Sequence, residues 1–125
     1  MLNERMIRDG LSLARKRGSA VIASKVVDTI KKVNGRCRVR ATVDRRQLYA
    51  VQTPQIFRRS LILNAYRHVR KKDLSVTDDA AALEARGGNV YLYDYDGPNL
   101  KITRRQDLQL AEALIGRKKA QKGQK

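Results

Sequence analysis

Ser19-Ala20-Val21-Ile22-Ala23-Ser24 is an apolar run too brief for a helix and too continuous for a half-exposed strand, so it reads as a strand buried on both faces. Upstream, Leu2 to Arg17 sets Met6, Ile7, Leu11 and Ala14 at helical spacing, with Asn3 as N-cap and Gly18 as the stop. Downstream, Leu48 to Val51 reads as a strand ended by Thr53-Pro54. Ser60 to Lys71 reads as a helix turning Leu61, Ala65, Tyr66 and Val69 inward. Thr77 is the expected N-cap of a further helix whose first turn holds Asp78 and Asp79, and Gly87-Gly88 closes it. Val90 and Leu92 suggest a strand, and Leu100 to Ile102 another. A capping box, Thr103-x-x-Gln106, opens a last helix through Ile115, which Gly116 ends. Residues 117–125 are basic and Gln-rich and are expected to be disordered. Strands alternating with helices specify an α/β layer with a mostly parallel sheet. Only three or four strands are available to it, so the sheet is expected to be partial.

Asn34-Gly35 is a hairpin signal, because a type I′ turn needs positive φ at both central positions. The preceding strand is placed at Thr29 to Val33. After the turn, Cys37, Val39, Ala41 and Val43 alternate with Arg36, Arg38, Arg40 and Thr42. That pattern predicts an arm over about residues 26–47, with one thin apolar face and one cationic face. A two-stranded hairpin is marginal in water, so the arm is expected to pack on something else.

The 125 residues fit one domain, placed at residues 1–116. A net charge of +16 favours phosphorylated or polyanionic partners without saying which. The single cysteine, Cys37, excludes an internal disulfide framework. No apolar run reaches the roughly 18–20 residues that span a bilayer, and the N-terminus lacks a signal-peptide core. A cytoplasmic protein that makes no membrane contact is the expectation. No Ser-His-Asp or Cys-His constellation can be assembled. His68 has no neighbouring ligand residue, and Asp94-x-Asp96-Gly97 fails as a calcium loop because Arg105 stands where a bidentate Glu is needed.

Five segments stand together in order: Val27-Asp28-Thr29-Ile30-Lys31, Thr42-Val43-Asp44-Arg45, Gln52-Thr53-Pro54-Gln55-Ile56-Phe57, Thr77-Asp78-Asp79-Ala80 and Asn99-Leu100-Lys101-Ile102-Thr103. With the closing run Asp107 to Glu112 they resemble the C-terminal half of the 2-C-methyl-D-erythritol 4-phosphate cytidylyltransferases, within the sugar-phosphate cytidylyltransferase family, over about residues 3–115. The resemblance implies a partial Rossmann-like nucleotidyltransferase sheet with flanking helices and a protruding β-hairpin arm. It implies transfer of CMP from CTP to 2-C-methyl-D-erythritol 4-phosphate in non-mevalonate isoprenoid biosynthesis, with magnesium as cofactor. Arg45 and Lys101 match the positions that hold the attacking phosphate. Thr29, Thr53 and Thr77 match those supplying hydroxyls to phosphate and polyol. The residue types suit these roles, since Arg offers a planar fork of donors, Lys a compact charge, and Thr both donates and accepts. Thr77 at a helix start would also set a phosphate near the positive helix end. The resemblance further implies a homodimer in which the arm crosses to complete the neighbour's site.

The family's Gly-rich CTP loop and its Asp-Ala-Ala-Arg-Pro segment, whose Asp binds the metal, have no counterpart in these residues. The expectation is therefore a chain lacking the CTP-binding half and inactive alone. Tyr49 stands where the family favours Trp, and Arg46-Gln47 where small or polar residues are usual. Ribitol 5-phosphate is the alternative acceptor, since those enzymes share the pattern. From another class, a small basic RNA-binding protein suits charge and size, although the cations are dispersed and no RNA-binding signature is present.

Overall fold

The computed structural model describes residues 3–122, with side chains through residue 113. Two compact units are formed: Asn3–Asp96, and the residues from Gly97 onward.

In the first unit the chain runs α1 (Glu4–Arg17), β1 (Ser19–Lys25), β2 (Ile30–Val33), β3 (Val39–Val43), a 3-10 turn (Arg45–Gln47), β4 (Tyr49–Phe57), α2 (Arg59–Lys72), α3 (Asp79–Ala85) and β5 (Leu92–Asp94). The main sheet has the order β4-β1-β5. β1 is central, and Ser19 to Ala23 are all buried, as their unbroken apolar pattern requires. It pairs parallel with β5 but antiparallel with β4, so the sheet is mixed rather than mostly parallel.

α1 begins where Asn3 accepts the Met6 N–H at 2.8 Å. It ends at Gly18, which takes φ 93° and donates its N–H to Ala14. Met6, Gly10 and Ala14 form its buried stripe, spaced one turn apart. Ile7 and Leu11, also expected inward, remain 40% and 42% exposed on the shoulders of that stripe. The small surface of Gly10 lets the helix approach the sheet, where Ile56 and Ile22 meet it. A core cluster joins Ala65 and Val69 of α2 to Ala82 and Leu83 of α3, flanked by Phe57, Leu61, Ile62, Val76 and Val90. Ile62 takes the packing place expected of Tyr66, which is exposed. Ser19, fully buried, donates to the Asn89 carbonyl at 3.0 Å and accepts the Tyr91 N–H at 3.1 Å. That pair of bonds sets the entry of β5 against β1.

Several boundaries depart from the sequence expectations. β4 does not end at Thr53-Pro54 but passes through it. β1 pairs Val21 with Gln55 and Ala23 with Val51, so β4 carries an irregularity there, and the Thr53-Pro54 peptide is cis. Because β4 is an edge strand, the missing Pro54 N–H breaks no necessary ladder bond. In the hairpin, neither Asn34 nor Gly35 has positive φ; Cys37 does, at 55°. The Asn34 side chain accepts the N–H groups of Arg36 and Arg38 at 3.1 and 3.0 Å, which stabilises a longer turn than type I′. Cys37 consequently sits exposed in the turn and not on an apolar strand face.

The longer turn brings a bulge: Lys32 pairs with Ala41, but Val33 pairs with Val39. One extra residue inverts the alternation beyond it. Ile30 and Val43 therefore share a face with Lys32 and Ala41, whereas Val33 and Val39 share the other with Lys31 and Thr42. The expected division into an apolar and a cationic face does not hold. The arm's strands form their own two-stranded sheet, with Val33 and Val39 about half exposed (49% and 53%).

In the second unit α4 spans Arg105–Lys122. It continues past Gly116 through residue 122, and 123–125 lie outside the described residues. Its start is fixed by Asp107, whose carboxylate accepts the N–H groups of Thr103 and Arg104 at 2.9 and 2.8 Å and the Thr103 hydroxyl at 3.1 Å. An acidic residue thus closes the helix end in place of the expected Gln106. Leu100 to Ile102 is coil, not strand.

Candidate active site

The first group of candidate residues lies at the base of the arm. Ile30 pairs with Val43, so Thr29, just before β2, and Arg45, just after β3, come to the same end of the hairpin. Both are exposed. The Arg45 guanidinium donates to the Val27 carbonyl across the two entering chains. Beside it, Asp44 caps the 3-10 turn by accepting the Arg46 N–H at 3.1 Å. Asp44 also holds the Arg46 guanidinium through three bonds of 3.1, 2.9 and 2.6 Å. Those bonds, with the backbone N–H of Arg46, hold the Asp44 carboxyl below the usual carboxylate range. Arg46 is thereby occupied by its own neighbour, while Arg45 reaches the Val27 carbonyl, two residues before Thr29.

The arm base is anchored to the sheet. Lys25 pairs with Tyr49 in register, and both reach Asp94 on β5: the ammonium at 3.7 Å and the phenol, donating, at 3.3 Å. Tyr49 thus keeps a polar handle on the sheet at the position where Trp is the expected residue.

The second group forms where β4 meets α3. Thr77 is not the N-cap; Asp78 is, accepting the Ala81 N–H at 2.8 Å. A carboxylate bonds to the positive end of a helix more strongly than a neutral hydroxyl, which is why the next residue wins. Thr77 is left exposed one residue before the cap. α3 has seven residues, and the Asp78 carboxylate occupies its start in place of the expected Thr77 hydroxyl.

Gln55 links this cap to the sheet. Its amide donates to the second Asp78 oxygen at 2.8 Å and accepts the Ala80 N–H at 3.0 Å. The segment bearing Thr53 is thereby tied to the segment bearing Thr77. From the other side, the Tyr66 hydroxyl donates to Asp79. That bond, with some burial and the charges of Asp79 and Asp78, pushes the phenol above its ordinary value. Sequence reasoning does not single out Gln55, Asp78 or Tyr66 as site residues. The two glutamines flanking Thr53-Pro54 are the one signal that could have found the first of them.

Lys101 lies in the second unit, exposed and in coil. Within the first unit the structure therefore brings Thr29 to Arg45, and the neighbourhood of Thr53 to that of Thr77. Among the described residues no three His, Cys, Asp or Glu side chains converge as metal ligands. Nor is any described helix long and apolar enough to cross a membrane.

Comparison with known proteins adds a separate line of observation. The family profile for 2-C-methyl-D-erythritol 4-phosphate cytidylyltransferase matches residues 1–117. A protein of that description from Clostridium novyi is 38% identical over 114 residues, covering 91% of this chain and 49% of its own length. One from Geobacillus thermodenitrificans is 46% identical over 98 residues, covering 78% of this chain and 42% of its own length. The crystal structure of the Thermus thermophilus enzyme superimposes with a TM-score of 0.81 at 36% identity, over 91% of this chain and 56% of that one. The chain spans about half the length of the curated relatives it matches.

Proposed function

The chain belongs to the 2-C-methyl-D-erythritol 4-phosphate cytidylyltransferase family, and on that premise we propose that it carries the acceptor side of a nucleotidyltransferase site. The reaction is transfer of CMP from CTP to 2-C-methyl-D-erythritol 4-phosphate. An oxygen of the acceptor phosphate attacks the α-phosphorus of CTP, a new P–O bond forms, and the bond to the departing pyrophosphate breaks. Such chemistry asks a protein chiefly to hold two anions in line and to neutralise charge on phosphoryl oxygens.

The observation that carries this reading is the ordering of the two matched threonine segments about one hydrogen-bonded junction. Gln55 fastens Thr53's strand to Thr77's loop, and Arg45 stands beside Thr29 at the arm base. Arg45 is the phosphate ligand: its fork of donors bonds two oxygens, and exchange of the Val27 carbonyl for phosphate trades a neutral acceptor for a charged one. Thr29, Thr53 and Thr77 supply hydroxyls to phosphate and polyol. The half-exposed valines of the arm support a second copy of the chain as its partner, in a homodimer that joins the arm-base residues of one copy to the Thr53 and Thr77 segments of the other. Turnover additionally needs CTP and, as the resemblance implies, magnesium.

Binding tests this directly. Titration calorimetry of the chain with 2-C-methyl-D-erythritol 4-phosphate is expected to show saturable heat, with weaker binding of ribitol 5-phosphate. Arg45→Ala is expected to weaken the first about 10- to 100-fold, as loss of a charge-assisted bond to a phosphate implies. Equal affinity of Arg45→Ala and the parent would remove Arg45 from the site. Tighter binding of ribitol 5-phosphate would reassign the acceptor. The resemblance assigns Lys101 to the same phosphate, and Lys101→Ala measures its share.

A further inference from the structure

Gln55 bridges β4 to the start of α3, and both ends of its amide are used. The nitrogen donates to a carboxylate and the oxygen accepts a backbone N–H, so the amide orientation is fixed by its partners. Asp78 is equally committed: one oxygen takes the Ala81 N–H, the other the Gln55 amide. Gln55 and Asp78 are both half-buried, which strengthens these bonds relative to a fully solvated pair. Thr53 lies two positions before Gln55, in the irregular part of β4, and Thr77 lies one position before Asp78. A displacement of the clamp therefore moves both threonine backbones with it.

We infer that the Gln55–Asp78 pair is a positioning device that sets the spacing of Thr53 and Thr77 for a polyol phosphate, a role resting on the acceptor-side reading above. Neither clamp residue touches the ligand. Each acts through the threonine beside it, so replacing it lowers affinity without removing a ligand contact.

Donor and acceptor identities make the inference testable. In Gln55→Glu, a carboxylate faces the Asp78 carboxylate and the donated bond becomes a repulsion. In Asp78→Asn, an amide donor meets the Gln55 amide donor, or one of the two flips and loses a backbone N–H. In the double variant, the carboxylate introduced at position 55 accepts from both the Ala80 N–H and the amide introduced at position 78. Complementarity then returns with donor and acceptor exchanged. The experiment is titration of the full chain and these variants with 2-C-methyl-D-erythritol 4-phosphate, alongside their thermal midpoints. Each single variant is expected to bind about 10-fold more weakly, and the double variant to recover within about threefold of the parent.

Single variants that bind like the parent, even with lowered midpoints, would reduce the pair to a structural contact and overturn the inference. A double variant as weak as the singles would overturn its hydrogen-bond basis. A parent chain that shows no binding overturns the acceptor-side reading and this role with it, an outcome distinct from the other two. Gln55→Met keeps the length of the side chain while losing both bonds, and its weakened binding is expected even where the charge variants do not fold.

Discussion

Gly88→Ala places a methyl group where the fold has no room. A Cβ at this position would lie 2.3 Å from Leu83 Cδ1, 2.7 Å from its Cγ and 3.1 Å from its backbone oxygen. The first contact is with the far end of a side chain, but the next two are with its branch point and with backbone, which do not swing away. Leu83 is only 1% exposed and is wedged among Ala65, Val69 and Ala82, so its rotamer has nowhere to go. Gly88 also donates its N–H to that same Leu83 carbonyl at 2.9 Å, fixing the chain reversal after α3. Relief requires moving the reversal away from α3 and lengthening this bond. Overpacking of this kind costs about 1–3 kcal/mol, and a domain of this size loses roughly 4–8 °C in Tm per kcal/mol. Thermal and urea unfolding by circular dichroism are therefore expected to show a Tm lower by at least about 4 °C. Adding Leu83→Ala supplies the missing space, so the two substitutions together should cost less than the sum of their separate costs, by about 0.5–3 kcal/mol. A Gly88→Ala midpoint equal to that of the parent, or strict additivity in the pair, would refute the packing argument.

Other consequences follow from single bonds. Asn3→Ala removes the acceptor that caps the Met6 N–H, and about 1 kcal/mol of stability is expected to go with it in urea unfolding. Tyr93 is pushed above its ordinary value by burial first, and then by donating to Asp9 at 2.9 Å. A raised phenol pKa in the folded state stabilises fully below about 10 and is lost as pH rises through the folded value; Tyr93→Phe should flatten the fall in stability measured by denaturation between about pH 9 and 11. Asn34→Ala deletes the acceptor of the Arg36 and Arg38 N–H groups, so amide exchange in the arm should quicken while exchange in β1 stays unchanged.

What could be read without coordinates was whatever rests on local chemistry and strong periodicity. The Asn3 cap, the Gly18 stop, the buried run of β1 and the Gly87-Gly88 closure each depend on a few adjacent residues, and each stands in the structure. The departures share one cause: competition between neighbours with similar chemistry. Thr77 and Asp78 can both cap a helix, Gln106 and Asp107 can both close one, and in each pair the carboxylate takes the N–H groups. Leu11 and Gly10 compete for the inner stripe of α1, and the sheet's closeness favours the residue without a side chain.

The arm shows how a local choice propagates. Asn34 satisfies two N–H groups with its side chain, so the turn lengthens and Cys37 takes the left-handed conformation. The added residue then shifts parity between Lys32 and Val33, and the apolar residues divide between the two faces of the hairpin. A sequence pattern with period two carries no mark of where that parity shift falls, because the residues on both sides alternate correctly by themselves. The same holds for β4, where the irregularity at Thr53-Pro54 lets the strand continue to Gln55 and so reach Asp78. The candidate site was therefore legible as a set of short motifs, but its geometry was not. The geometry depends on two register shifts and one long-range amide, and none of these has a periodic signature.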